Sequence, residues 1–300
     1  MKKVLLIINA KAGTAKAQED LYDIIRVFSV NDHEVTVYPI VPDKGLSAEQ
    51  IVVEVSERFD LVACYGGDGT LHYVVNGYMF AQRHIPVGYF PAGSTNDFAK
   101  TMGIPTHIVE NTLAMVAGKT FSYDVGKFNQ DYFNYVAAFG AFTSISYNTS
   151  QDIKNVIGHA AYVLNGFLTL GDHLSMRCKM RVEHDGTIEE KEYIYGSVSN
   201  ATSIGGFKLM EENRVEMDDG LMEVMLVQAP PTVLEMQQII GGLLTSDTNN
   251  PYIDVFQTNR VIFTSLDEKP AEWTLDGEFG GAPEQVEIQT IPGAIPILIP

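Results

Sequence analysis

The sequence predicts an α/β N-terminal domain, a parallel sheet flanked by helices, followed by a β-rich antiparallel sandwich domain. Three observations carry this. Short, continuously apolar runs alternate with amphipathic helical stretches over the first 120 residues, the pattern of strands buried on both faces. Glycine-rich or Asn/Asp-rich turns follow three of those runs directly. Beyond residue 120 the grammar changes, and runs such as TIEEKEYIYGS alternate polar with apolar residues, as antiparallel strands with one wet face do.

Taken in order, VLLIIN at 4–9 is a strand closed by a turn, and a helix over about 14–30 carries Leu21, Ile24, Ile25, Val27 and Phe28 on its apolar side. EVTVYPI at 34–40 is the second strand, and a helix at about 47–58 presents Ile51, Val52 and Val55. LVACY at 61–65 runs straight into GGDGT, a helix spans about 70–82, and IPVGYF at 85–90 is the fourth strand. FSYDVGKFN and DYFNYVAAFG then read as two strands joined near Asn129-Gln130, followed by a helical stretch at about 151–171. LSMRCKMRVEHDG, TIEEKEYIYGSVSN, LMEVMLVQ, RVIFTS, AEWTLDGE and QVEIQTI supply further strands, with one helix at 232–244 after Pro230-Pro231. The domains divide into residues 1–125 and 126–289, and the apolar tail at about 290–300 is expected to pack back on the first.

Composition narrows the partners. At 300 residues the chain is long enough for two self-sufficient cores, and 45% hydrophobic with 19% charged residues is globular rather than disordered. A formal net charge of −18 argues against nucleic acid, whose phosphates attract Lys and Arg. It also argues against docking on anionic membranes through net charge. Lys11, Arg83, Lys100, Arg177, Lys179 and Arg181 are candidates for a local basic face. Cys64 and Cys178 sit in apolar runs without His or Cys at ligand spacing, so buried free thiols are expected. The six-residue apolar stretch at the N-terminus is too short for a signal sequence, and the expected location is cytoplasmic.

The chemistry concentrates in the turns after the strands, which in an open α/β sheet share one rim. They are NAKAG at 9–13, GGDGTLHYVVNG at 66–77 and PAGSTNDFAK at 91–100. Gly66 and Gly67 let backbone approach a ligand closely, and the helix that follows aims N–H groups outward. Neither GxxxxGK[ST] nor GxGxxG is present, which excludes a P-loop NTPase and a dinucleotide dehydrogenase. The carboxylates in these turns suit Mg²⁺, a hard cation that phosphoryl transfer uses to neutralise developing charge.

GGDGTLHYVVNG and PAGSTNDFAK resemble the diacylglycerol kinase catalytic-domain family, closest to the bacterial soluble lipid kinases and shared with sphingosine kinases. NAD kinases share the GGDGT element alone. Asp124 in SYDVGKFNQDYF, VEMDDGLMEVMLV at 215–227 and TLDGE at 274–278 extend the resemblance over nearly the whole chain. The resemblance implies an NAD-kinase/diacylglycerol-kinase-like fold and an ATP- and Mg²⁺-dependent lipid kinase acting on diacylglycerol or a related lipid. Asn9, Ala10, Lys11, Ala12, Gly13, Gly66, Gly67, Asp68, Gly69, Thr70 and Ser94 would surround the ATP phosphates. Asp68 would hold the catalytic Mg²⁺ through water, with Asp97 and Asp124 completing an acidic network. Glu278 would be the general base. A second, structural Mg²⁺ would sit on the Asp219 carboxylate and the backbone carbonyls of Glu216 and Leu221. The sequence departs from the family pattern at Ala10, Ile40, His72-Tyr73 and Ser94, positions that bear on nucleotide affinity and substrate. An NAD-kinase-like phosphotransferase and a low-activity lipid- or nucleotide-binding regulator remain the alternative readings. Expected partners are ATP, the lipid substrate and a transient membrane surface, and the β-rich domain is compatible with a homodimer.

Overall fold

The computed structural model describes residues 1–9, 12, 17–40, 45–94, 96–140, 177–200, 203–204, 207–208, 216–245 and 250–300. The helix expected at 151–171 and site candidates Ala10, Lys11 and Gly13 lie outside the described residues. The chain forms two compact units. One comprises Met1–Val125, Tyr132–Asn134 and Pro292–Pro300; the other comprises Gly126–Asp131 and Tyr135–Ile291.

In the first unit the order is β1 (Lys2–Asn9), α1 (Ala17–Val30), β2 (His33–Ile40), α2 (Ala48–Val55), β3 (Leu61–Gly66), α3 (Asp68–Phe80), β4 (Val87–Pro91), α4 (Asp97–Thr101) and α5 (Ile108–Ala117). Strands β2, β1, β3 and β4 are parallel neighbours in that order. All six residues of β3 are buried, as its unbroken apolar run requires of a central parallel strand, whereas β2 at the edge is only partly covered. Val4, Leu6, Ile8, Leu61, Ala63 and Phe90 pack with Ile24 and Phe28 of α1 and Met115 of α5. Each such side chain contributes about 1.5–3 kcal/mol on burial. Helix α2 starts where Ser47 and Gln50 form a reciprocal capping box.

Helix α5 is an addition to the elements read from sequence. Its buried side is partly polar: Asn111 and Thr112 are covered alongside Met115, and the Asn111 amide donates to the Tyr89 carbonyl at 2.8 Å. The apolar period that marks a buried helical face is therefore weak there. Gly118, left-handed at φ +74°, ends the helix.

β5 (Thr120–Phe128) leads from the first unit into the second, and β6 (Asp131–Phe133) pairs with it. The second unit holds β7 (Val136–Gly140), β8 (Cys178–His184), β9 (Thr187–Ser199), a short pair β10 (Ser203–Ile204) and β11 (Phe207–Lys208), and β12 (Met222–Gln228). After helix α6 (Val233–Thr245) come β13 (Ile253–Thr258), β14 (Arg260–Ser265), β15 (Trp273–Leu275), β16 (Glu278–Phe279) and β17 (Gln285–Leu298). Antiparallel pairing runs β16-β15-β7-β9-β8-β14-β17, and β9 also pairs β12, which pairs β13. Strand β13 is a further addition to the sequence reading, as are α4 and the β10–β11 pair; β13 is partly covered along most of its length, so it lacks clean alternation. The C-terminal part of β17 returns to the first unit, where Ile297 pairs parallel with Val87 of β4.

Phe128, Phe139, Phe263 and Trp273 form an aromatic cluster in the second unit, with Trp273 4.7 Å from Phe139 centroid to centroid. Val136, Ala138, Tyr195, Met225, Val227 and Ile239 form a separate packed group. Two residues of the candidate basic face form ion pairs, Arg181 on β8 and Arg177 just before it. Arg181 pairs with Glu190 at 2.7 Å and Arg177 with Glu192 at 3.1 Å, because the β8–β9 register sets Arg181 opposite Glu190 and Lys179 opposite Glu192. These are exposed pairs worth little to stability, but they cancel the positive charge locally. Of the two cysteines, Cys64 is buried and Cys178 partly so, and both are free; burial raises both thiol pKa values, that of Cys178 to about 11.

Candidate functional site

Three strand ends of the first unit carry the predicted loops, and the structure ties them together. At the end of β1, the Asn9 side-chain amide donates to Thr70 Oγ1 at 3.0 Å, and the Ala12 N–H turns back to the Asn9 carbonyl at 2.9 Å. At the end of β3, Gly67 is extended and α3 begins with Asp68, so the Thr70 and Leu71 N–H groups both close on the Gly67 carbonyl. At the end of β4, the Ala92 N–H bonds to the Gly66 carbonyl at 2.8 Å, which carries the β3–β4 ladder into the loops.

Two contacts define the loop geometry. The Asp97 N–H, opening α4, donates to Asp68 Oδ2 at 3.1 Å, and the Tyr89 hydroxyl lies 3.4 Å from Asp68 Oδ1. Asp68 is 9% exposed, so its carboxylate is held in place from two sides. Gly67 and Gly93 meet backbone to backbone, and a Cβ at Gly93 would lie 2.7 Å from the Gly67 Cα. Asn96 closes the third turn on itself: its Oδ1 accepts from the Gly93 N–H at 2.8 Å and its amide donates to the Gly93 carbonyl at 2.9 Å. It does so in the left-handed region at φ +51°, which Asn tolerates. Asn96 is therefore a clamp that shapes the loop, and Ser94 beside it is exposed.

A Gly93→Ala variant should be unable to keep this approach, since backbone rather than a flexible side chain occupies the Cβ position. Its expected effect is about 1–3 kcal/mol of overpacking strain, read as a lower melting temperature. Thermal denaturation checks it, and an unchanged melting temperature would show that the two loops can part without cost.

Asp97 is half-buried and faces the exposed Lys100 at 3.3 Å. Asp124 is fully buried on β5, and its Oδ1 accepts the Gly293 N–H at 2.7 Å, which fastens the returning C-terminal segment. His72 is buried on α3 near Asn76, whose amide and carbonyl both bond the Tyr132 backbone at 2.9 Å. That places His72 on the packed side of the helix, while Tyr73 is exposed.

Glu278, Glu216, Asp219 and Leu221 belong to the second unit. Glu278 opens β16 opposite Leu275 and is partly exposed, immediately after a turn in which Asp276 (φ +52°) and Gly277 (φ +89°) are both left-handed. That is the backbone of a tight hairpin, which Asp-Gly favours. In the acidic turn, Asp218 and Asp219 are exposed, Gly220 is left-handed, and Asp219 Oδ1 accepts the Leu221 N–H at 2.8 Å. Among the described residues no group of three or more His, Cys, Asp or Glu side chains is placed to hold a metal ion.

Glu223 was not singled out by the sequence reading. It is 2% exposed on β12, next to the acidic turn, and accepts from the Gln257 amide at 3.1 Å. Burial pushes its carboxyl up to about 7, with the Asp219 charge adding to the rise. The available signal was one glutamate inside the apolar run MEVMLV.

Residues 3–128 match the family model described as the diacylglycerol kinase catalytic domain. A protein named diacylglycerol kinase from Bacillus subtilis (strain 168) is 28% identical over 285 residues, covering 94% of this chain and 91% of that protein. One of the same name from Staphylococcus aureus (strain bovine RF122 / ET3-1) is 27% identical over 283 residues, covering 93% and 87%. A crystal structure described as a diacylglycerol kinase from Bacillus anthracis str. Sterne shares the fold over all of this chain and 97% of its own, with a TM-score of 0.76 at 23% identity. A second structure from that strain gives a TM-score of 0.81 at 24% identity over the same shares.

Proposed function

We propose, on the premise that residues 3–128 are a diacylglycerol kinase catalytic domain and that the chain is a lipid kinase, that it transfers the γ-phosphate of ATP to a hydroxyl of diacylglycerol or a related lipid. The observation that carries this reading is the Asp97 N–H on the Asp68 carboxylate. It joins the glycine loops of two adjacent parallel strands into one polar rim with backbone N–H groups and a fixed carboxylate. In this reading the first unit binds nucleotide and the second supplies the lipid-handling chemistry.

The loops at 9–13, 66–70 and 92–97 take the phosphates. Glu278 accepts the proton of the lipid hydroxyl as that oxygen bonds to the γ-phosphorus and ADP leaves. A hydroxyl is a poor nucleophile, and a positioned carboxylate is the economical remedy. Asp68 suits Mg²⁺, as a hard carboxylate already oriented by two donors, and in this reading the Asp97 carboxylate completes the set. Bound there, Mg²⁺ would neutralise charge developing on the phosphates. In this reading Asp124 of β5 completes the acidic network.

The Asp219 turn would take a second Mg²⁺ through the Asp219 carboxylate and the carbonyls of Glu216 and Leu221. The Asp219 side chain is exposed and held by the Leu221 N–H, so one oxygen donor is already aimed by the turn. Wild type should then melt several degrees higher in Mg²⁺ than in EDTA, and Asp219→Ala should lose that difference. Equal wild-type melting temperatures in the two buffers would refute the site.

No described helix is long and apolar enough to cross a membrane. We place lipid encounter at a membrane surface because the substrate of this reading is a lipid, through local contacts rather than net charge.

The direct test incubates the protein with labelled ATP, Mg²⁺ and dioleoylglycerol in mixed detergent micelles. Labelled phosphatidic acid is expected; label in no lipid across a series of diacylglycerols, monoacylglycerols and sphingoid bases would overturn the reading.

A further inference from the structure

Asp276 opens the Asp-Gly hairpin turn that precedes Glu278. In the structure it is 4% exposed, and its carboxylate has a specific task. Strands β15 and β7 pair Trp273 with Phe139, Thr274 with Ala138 and Leu275 with Ala137. The next rung begins normally, with the Asp276 N–H donating to the Val136 carbonyl at 2.8 Å. At that residue the backbone swings into the left-handed region. The Val136 N–H, which a continuing strand would bond through its backbone, is instead accepted by Asp276 Oδ1 at 3.1 Å. The same oxygen accepts the Tyr135 N–H at 2.9 Å.

The segment that Asp276 grips is braced from its other side. The Tyr135 carbonyl accepts the Asn200 N–H at 3.0 Å, and the Asn200 side-chain amide donates to the Met217 carbonyl of the acidic turn at 3.3 Å. Glu278 follows Asp276 by two residues and is paired back on Leu275, so its Cα position depends on how the turn is anchored.

We propose that Asp276 is a positioning residue, which holds the turn carrying Glu278 against the Tyr135–Val136 backbone. The proposal rests on the reading of Glu278 as the base. Its chemistry is acceptance of two N–H groups by one δ-position oxygen on a left-handed residue. Only Asp and Asn combine that reach with tolerance of the backbone. The requirement is for the oxygen, and Asn should supply it.

The experiment measures kcat and KM for ATP with dioleoylglycerol in mixed micelles for wild type, Asp276→Ala, Asp276→Asn and Glu278→Gln. Misplacing a reacting group by about 1 Å costs on the order of 10²-fold. Asp276→Ala should therefore lose at least about tenfold in kcat with KM for ATP unchanged, while Asp276→Asn keeps kcat within about threefold of wild type. Should alanine prevent folding, Asp276→Ser, with its oxygen on a shorter arm, is measured instead with the same expected loss. Wild-type kcat in Asp276→Ala, or a loss in Asp276→Asn equal to that in Asp276→Ala, overturns the proposal while Glu278→Gln remains impaired. Wild-type kcat in Glu278→Gln is a different result: it removes Glu278 as base, and the positioning role with it.

Discussion

Glu278→Ala should lower kcat by about 10²–10⁴-fold, the range that a positioned general base contributes. The variant should fold normally, because Glu278 is partly exposed in a two-residue strand whose neighbours are held by backbone bonds. The Gly280 N–H bonds the Trp273 carbonyl and the Trp273 N–H bonds the Gly281 carbonyl, both at 2.8 Å, independently of the Glu278 side chain. Stability should therefore change by no more than about 0.5 kcal/mol. KM for ATP should stay near wild type, since the loops proposed to take the phosphates are in the first unit. Glu278→Gln preserves shape but not basicity, and should be as impaired. Lipid phosphorylation by Glu278→Ala within about threefold of wild type would sink the assignment.

The second large effect is expected at Asp68. Its carboxylate is buried and accepts the Asp97 N–H, with the Tyr89 hydroxyl at a longer 3.4 Å. Replacing it with alanine leaves buried donors without their acceptor, a cost of about 1–3 kcal/mol. For a chain of this size that corresponds to a melting temperature lower by several degrees. It also removes an oxygen proposed to hold Mg²⁺, and kcat/KM for ATP should fall by about 10²-fold or more, equivalent to roughly 2.7 kcal/mol of transition-state stabilisation. Asp97→Ala supplies the contrast. It keeps the backbone N–H that joins the loops and deletes only a carboxylate facing exposed Lys100, so its melting temperature should move less. An Asp68→Ala protein with wild-type kcat/KM would exclude Asp68 from the reaction centre.

Several parts of this molecule are legible along the chain. LVACYGGDGT reads as a buried strand, a glycine turn and a helix start because each depends on neighbours within a few residues. The Asp-Gly turn before Glu278 is equally local, but the alternation expected in β9 is absent: Ile188 is exposed and Tyr193–Ser199 are all buried. The Ile108–Ala117 helix escapes that kind of reading because its buried positions include Asn111 and Thr112, whose polarity is satisfied by carbonyls that the sequence does not bring near. Strand β13 escapes because half-covered edge strands have no strict period. Among the site candidates, Asn9, the 66–70 loop, Asp68 and Asp97 are brought together in the first unit, and Asn96 proves to be a loop clamp.

Local order along the chain was enough to establish the parallel α/β beginning, the antiparallel continuation and the acidic, glycine-rich turns where chemistry concentrates. Periodicity, turn chemistry and burial of apolar runs act over short separations, so one sequence carries them. Tertiary structure alone assigned each polar side chain its partner. It gave Asp124 to Gly293, Asp276 to Tyr135 and Val136, and Arg181 to Glu190, and it buried Glu223 beside Asp219. A carboxylate in a sequence is only a charge with a reach. Whether it caps a distant backbone, cancels an arginine or stands ready for a metal depends on register and packing between segments up to 169 residues apart.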